Sequence, residues 1–178
     1  MAGGPADTLA NCSLGQLMLY AGSFEDALRY AERAWTTGVA SYYRKEIARL
    51  YCIALARLKR FEEALKFQQE QLAERPDDSQ TIIDTSDLLS EMGRNSESFK
   101  LLTDAVEKKP TDTDLLFRLG VGHVENNDYA EALSWADKVI AADAQHLEGW
   151  NLRAQIKFKL GDFRGALVDH EMMLELSK

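Results

Sequence analysis

The chain has 178 residues, 46% of them hydrophobic, and its 21 basic and 29 acidic side chains leave a formal net charge of -8. That size and apolar content suit one globular domain or a short repeat array. No run approaches the roughly 18–20 apolar residues of a membrane span, which excludes membrane insertion, and no basic start leads into an apolar run as in a signal peptide.

The first segment, 1–7 ("MAGGPAD"), reads as a flexible leader or an expression remnant outside the fold. From Thr8 the chain falls into five units, 8–41, 45–78, 79–112, 113–146 and 147–178; their starts are 37 residues apart once and 34 apart three times. Unit one carries the small residue Gly15, then Gly22 and Ser23, then Phe24, Ala27, Leu28 and Trp35. Unit two repeats the order with Cys52, Lys59 and Arg60, then Phe61, Ala64, Leu65 and Leu72, before Pro76. Unit three has Ser86, Gly93 and Arg94, then Asn95, Ser98, Phe99 and Val106, before Pro110. Unit four has Gly120, Asn127 and Asp128, then Tyr129, Ala132, Leu133 and Ile140. Unit five has Ala154, Gly161 and Asp162, then Phe163, Ala166, Leu167 and Leu174.

Each column has a physical reading. Small residues at two fixed places let helix backbones approach closely. The aromatic, the leucine four residues on and the apolar residue seven beyond that form one helix stripe. Gly and Asn tolerate the left-handed conformation that ends a helix. Ser23, Asp128 and Asp162 suit the next N-cap, whereas Arg60 and Arg94 are poor caps. Pro76 and Pro110 cannot continue the helices before them. Every unit thus reads as helix, tight turn, helix, short connection, giving an all-α chain of about ten helices. Helices this short gain their stability by stacking on neighbours. The three extra residues near 38–44 predict a lengthened helix end and a local change of pitch.

These columns resemble the tetratricopeptide repeat (TPR) family over about residues 8–178. The fourth unit ("LLFRLGVGHVENNDYAEAL", 115–133) and the fifth ("GWNLRAQIKFKLGDFRGAL", 149–167) match best; the third departs most, at Asn95 and Ser98. The resemblance implies a right-handed α-solenoid superhelix, one TPR domain over 8–178, and first helices lining a concave groove that binds peptides. In that reading Gly15, Ala27, Ala64, Gly93, Gly120, Ala132, Gly161 and Ala166 are structural repeat positions.

Carried over column by column, the groove places of the family put Leu9, Cys12, Gln16, Leu19 and Tyr20 inward in unit one and Glu46, Arg49, Ile53 and Arg57 in unit two. They add Ile83 and Asp87 in unit three, Phe117, Val121 and Val124 in unit four, and Phe158 in unit five. Tyr20, Arg49, Ile53, Arg57, Ile83, Asp87, Phe117, Val121, Val124 and Phe158 are therefore the candidate peptide-binding residues. The opposing reading of the charges is that Arg49 and Arg118 pair with Asp87 and Asp84 on neighbouring helices. The Lys and Asn with which some family members grip a C-terminal carboxylate are missing, which disfavours chaperone tails as ligands.

Catalytic signatures are lacking. His123, His146 and His170 have no metal-ligand spacing, and His123, in a column of apolar residues, reads as a partly buried, hydrogen-bonded core histidine. Cys52 lies in the small-residue column and reads as packing. The two cysteines form no CxxC pair, which points to a reducing, cytoplasmic setting. Nothing calls for a cofactor or metal, and the chain reads as a non-enzyme.

The acidic excess sits in residues 79–178, with 11 basic and 18 acidic side chains against 10 and 11 in residues 1–78. Such a surface repels phosphate backbones, so nucleic acid is not expected as a partner. Apolar residues crowd both ends, Leu9, Leu14, Leu17, Met18 and Leu19 at one and Phe163, Leu167, Met172, Met173 and Leu174 at the other. Arrays need polar caps, so further repeats or another copy of the chain are expected to cover them. The leading functional expectation is an interaction scaffold that binds a peptide or helix of a protein partner. The alternative is a secretion or assembly chaperone that holds an apolar client segment.

Overall fold

A computed structural model describes residues 5–36 and 43–177. Its helices are α1 (Pro5–Tyr20), α2 (Phe24–Thr36), α3 (Arg44–Arg57), α4 (Phe61–Glu74), α5 (Ser79–Glu91), α6 (Asn95–Lys108), α7 (Thr113–Glu125), α8 (Tyr129–Ala142), α9 (Leu147–Lys159) and α10 (Phe163–Leu176). No strand occurs among the described residues. The turns between paired helices fall where the columns place them. The insertion near 38–44 lies almost wholly outside the described residues.

One boundary differs. α1 starts at Pro5, so the first helix takes in residues 5–7. Proline suits a first helical turn because its missing N–H would have no partner there, and Asp7 complements the positive helix end. Thr8, taken as the first residue of the repeat, is already buried.

The turns show why the seven-letter phrase recurs. Gly22, Lys59, Gly93, Asn127 and Gly161 have φ of 76°, 61°, 75°, 61° and 84°. At Gly22 the amide donates to Leu19 O and the next amide, of Ser23, reaches back to Met18 O. The same pair of bonds closes α3 at Lys59–Arg60, α7 at Asn127–Asp128 and α9 at Gly161–Asp162. This left-handed closure satisfies carbonyls that a helix end leaves open.

Only some of the expected caps form. Asp162 accepts from Gly165 N at 2.9 Å. The Ser23 hydroxyl donates to Asp26. Asp128 makes no side-chain cap bond to α8; its carboxylate meets His123 Nδ1 at 3.2 Å instead. Arg60 and Arg94, which cannot cap, each make a two-pronged bond of 2.7 Å to the glutamate three residues on, Glu63 and Glu97. These exposed pairs add little stability.

Both small-residue columns are buried throughout: Gly15, Cys52, Ser86, Gly120 and Ala154 in one, Ala27, Ala64, Ser98, Ala132 and Ala166 in the other. A Cβ at Gly15 would come within 2.6 Å of Leu50 Cδ2, and one at Gly120 within 3.0 Å of Leu152 Cδ2. The spacing of the helices is thus set by the absence of a side chain.

The chain forms two compact units, residues 1–76 with 87–93, and residues 77–86 with 94–178. In the first, α1 packs on α2, α2 on α3 and α3 on α4, and α1 also touches α3. Its core joins Cys12, Ala31, Ala34, Ile47 and Leu50. In the second, α6 to α10 pack in sequence and α7 also touches α9. There Ala132, Ala136, Leu152 and Ile156 form a buried cluster. In both units, the first helices of successive repeats therefore lie side by side, and their shared face is where a site can be built.

Candidate functional site

In the first unit that face holds a cleft of about 770 Å³. α1 contributes Gln16, Leu19 and Tyr20; the turn and α2 contribute Gly22 and Phe24; α3 contributes Glu46, Arg49, Leu50, Ile53 and Arg57. Four candidate residues, Tyr20, Arg49, Ile53 and Arg57, are brought together here. The cleft exists because α1 and α3, the first helices of successive repeats, touch each other, and the left-handed turn at Gly22 brings Phe24 into its lining.

Its floor and walls differ in character. Leu50 is buried beneath, Ile53, Leu19 and Phe24 are half-buried, and Arg49, Arg57 and Glu46 line the more open walls. Tyr20 is 91% exposed. An open aromatic with one stiff, two-angle side chain is a good contact residue, because it offers apolar area and a hydroxyl at low entropic cost. Arg49 makes no ion pair among the described residues, so the expected partnership with Asp87 does not form. Arg118 lies 3.6 Å from Glu125.

The other candidates fall elsewhere. Asp87 is half-buried in the first unit and Ile83 half-buried in the second. Phe117, Val121 and Val124 share one face of α7 and pack against the Leu152–Ile156 cluster. The Phe117 ring also meets the His146 ring, with centroids 5.5 Å apart. They are half-buried, so they support the α7–α9 joint while presenting an edge. Phe158 is 60% exposed and makes an edge-to-face contact with Phe163 at 5.2 Å.

Cys12 is not on the groove surface. It is 4% exposed within the first core, and burial, helped by the nearby Glu46 carboxylate, raises its thiol pKa. A thiol held protonated is a poor nucleophile. His123 is half-buried, bonded to Asp128 and in edge contact with Phe99 at 4.9 Å. His146 caps α9, its Nδ1 accepting from Gly149 N at 2.9 Å.

The sequence reading missed a buried charge cluster. Asp169 on α10 is fully buried. Arg153 donates to it from Nε at 3.0 Å and Nη2 at 2.7 Å, and Lys157 Nζ lies 2.8 Å away. Arg153 reaches Asp137 on α8 at 2.8 Å and stacks 4.6 Å from the Trp150 ring. Burial works to raise the Asp169 pKa, but the hydrogen bonds from Arg153 and Lys157 outweigh it and hold the carboxyl below its ordinary range. The signal available was the Arg153–Lys157 spacing of four on α9; nothing in α10 marked Asp169 as the residue facing it. The cluster clips three helices together, with its polar atoms spent on one another.

Apolar side chains also remain open at the surface of α10, where Phe163, Leu167, Val168 and Leu174 are 55–66% exposed. On α1, Leu9, Leu14 and Leu17 are exposed as well. Among the described residues no cluster of three or more His, Cys, Asp or Glu side chains is placed to hold a metal ion, and no helix is long and apolar enough to cross a membrane.

Comparison with known proteins places the fold. No curated protein sequence matches the chain. Among solved structures, a thermophilic TPR protein of Thermus thermophilus, TTC0263, superposes with a TM-score of 0.70 at 17% identity, covering 95% of this chain and 91% of that one. MamA 41-end from Desulfovibrio magneticus RS-1 gives 0.62 at 19%, covering 99% and 97%. YrrB, described as a TPR protein with an unusual peptide-binding site, gives 0.56 at 16%, covering 93% and 84%. The family model of the Psidin N-terminal TPR repeats region matches residues 20–145. Joined to the five left-handed turns and the two buried small-residue columns, that match shows that the chain belongs to the family of the Psidin N-terminal TPR repeats region.

Proposed function

We propose that the chain is a non-catalytic protein-interaction module whose working surface is the α1–α3 cleft. One observation carries this reading: four residues chosen from the repeat register alone, Tyr20, Arg49, Ile53 and Arg57, line one open cleft of about 770 Å³. Clefts of roughly 300–1,000 Å³ with an apolar floor and a few polar groups are the usual form of a binding site. The floor would take an apolar anchor of a partner peptide, with the exposed Tyr20 covering it. The likeness to YrrB agrees with a peptide ligand.

The test is capture from a lysate of the source cells, with the native chain and a Tyr20→Ala/Ile53→Asp variant as parallel baits of equal helicity. Captured proteins are then titrated directly against each bait. A partner that binds the native chain at least tenfold more tightly than the variant supports the cleft. Equal binding moves the surface away from it.

The exposed row on α10 favours a second reading, in which the chain holds an apolar segment of a client. It requires that binding be lost with Leu167→Glu and Leu174→Glu and kept with the cleft variant.

A further inference from the structure

The charges around the cleft say what kind of peptide it fits. Arg49, Ile53 and Arg57 are spaced four and four along α3, so they form one stripe, with an apolar side chain midway between two guanidinium groups. Eight residues of helix separate the arginines by about 12 Å along the axis. Both line the cleft, and neither makes an ion pair among the described residues. Most arginines elsewhere in the chain are engaged: Arg29, Arg44, Arg60, Arg94, Arg118 and Arg153 each have a carboxylate within 4 Å. Glu46 lines the same cleft, so the lining carries two positive charges and one negative. A local excess of positive charge is thus kept in a chain whose net charge is -8.

We infer that the α1–α3 cleft selects an acidic peptide segment in which one apolar side chain sits between two carboxylates. This deepens, and rests on, the reading of the cleft as a peptide site. An extended peptide rises about 3.3 Å per residue. Carboxylates four residues apart therefore span about 13 Å, close to the distance between the two arginines. The residue midway between them falls over Ile53. Arginine meets a carboxylate with two parallel N–H···O bonds, stronger and more directional than a neutral contact. The apolar centre enters the floor of Leu19, Leu50 and Phe24, beside the open face of Tyr20.

The probes are dye-labelled nine-residue peptides with leucine at the centre and glutamate two residues to each side, titrated with the full chain by fluorescence polarisation. Partner peptides carry glutamine, or lysine, at both flanking places, or alanine at the centre. The expected result is that the glutamate peptide binds at least tenfold more tightly than the glutamine or alanine peptides, with affinity falling as salt rises. In an Arg49→Glu/Arg57→Glu variant the preference passes to the lysine peptide. Unchanged melting temperature and helicity confirm that the variant is folded. Equal binding of the glutamate and glutamine peptides, lost together in Tyr20→Ala, overturns acidic selectivity and leaves the cleft as a peptide site. Absence of binding by the glutamate peptide up to millimolar protein overturns the inference, and the captured partner then decides the cleft reading separately. Glutamate-peptide binding that survives the double arginine variant also overturns it.

Discussion

Ser86 Oγ and Ser98 Oγ lie 2.7 Å apart, with both residues buried between α5 and α6. They occupy the two small-residue columns, where unit four has Gly120 and Ala132. The third repeat departs from the common pattern in both columns at once, and the departures satisfy each other: each hydroxyl removed from water finds the other.

Coupling follows from that pair. Replacing Ser98 alone by Ala takes away the partner of Ser86 in a dry site and is expected to cost about 1–2 kcal/mol. Replacing both by Ala is expected to cost less than the sum of the single changes. Urea unfolding of the two single variants and the double variant measures this, and strictly additive changes would show that the hydroxyls do not interact.

Asp169 should give the fold an acid-sensitive joint. Its folded pKa is lowered, so the stability it provides is present above the ordinary carboxylate pKa of about 3.9 and is lost as the pH falls through the lower folded value. Asp169→Asn leaves Arg153 and Lys157 without their buried anion and is expected to cost about 3 kcal/mol near neutral pH. The gap between variant and native chain should narrow below about pH 4. Denaturant midpoints taken from neutral pH down into the acid range test it; a gap independent of pH would remove the charge from the explanation.

Lys59 is a non-glycine residue at φ 61°, in a column where three other units have glycine. Lys59→Gly relieves the left-handed strain and should raise stability by about 0.5–1 kcal/mol. Gly93→Ala, at φ 75° with open space around its Cα, should lower it by about 1 kcal/mol through backbone strain alone. Thermal melts of the two variants should move in opposite directions, and a shift of the same sign in both would contradict the account.

Tyr20 and Phe117, both candidate groove residues, should separate under mutation. Phe117→Ala empties a place against Leu152 and Ile156 and is expected to cost about 2 kcal/mol of stability. Tyr20→Ala touches little of the fold and should change stability by less than about 0.5 kcal/mol, while weakening a cleft ligand roughly tenfold or more. A stability loss at Tyr20 equal to that at Phe117 would mean that Tyr20 packs in solution.

Gly149 sets a further close approach. A Cβ there would lie 2.7 Å from Val139 Cγ1, and Val139 is fully buried with a stiff side chain. Gly149→Ala gains about 1 kcal/mol of helix propensity and is still expected to lose stability on balance, since overpacking costs about 1–3 kcal/mol. Stabilisation instead would show that the α8–α9 joint yields easily.

The sequence alone determined the helices, their pairing and the turns between them. Those features depend on contacts within a few residues or on a column repeated every 34 residues: a left-handed residue at Gly22 or Asn127, a small residue at Gly15 or Ala132, a stop at Pro76. Local backbone sterics and close packing leave few other residues for such places, so the letters expose the fold. Seven of the cleft residues, Gln16, Leu19, Tyr20, Glu46, Arg49, Ile53 and Arg57, were legible for the same reason, because the repeat register tells which side of a first helix meets its neighbour. Only the tertiary structure decided that Cys12 turns into the core, that Phe117 braces α9, and that Asp128 bonds His123 where a helix cap was expected. It alone decided that Asp169 is buried between Arg153 and Lys157, while Arg49 and Arg57 make no ion pair among the described residues. A side chain's charge partner and its exposure depend on what faces it from another helix, and spacing along the chain does not encode that.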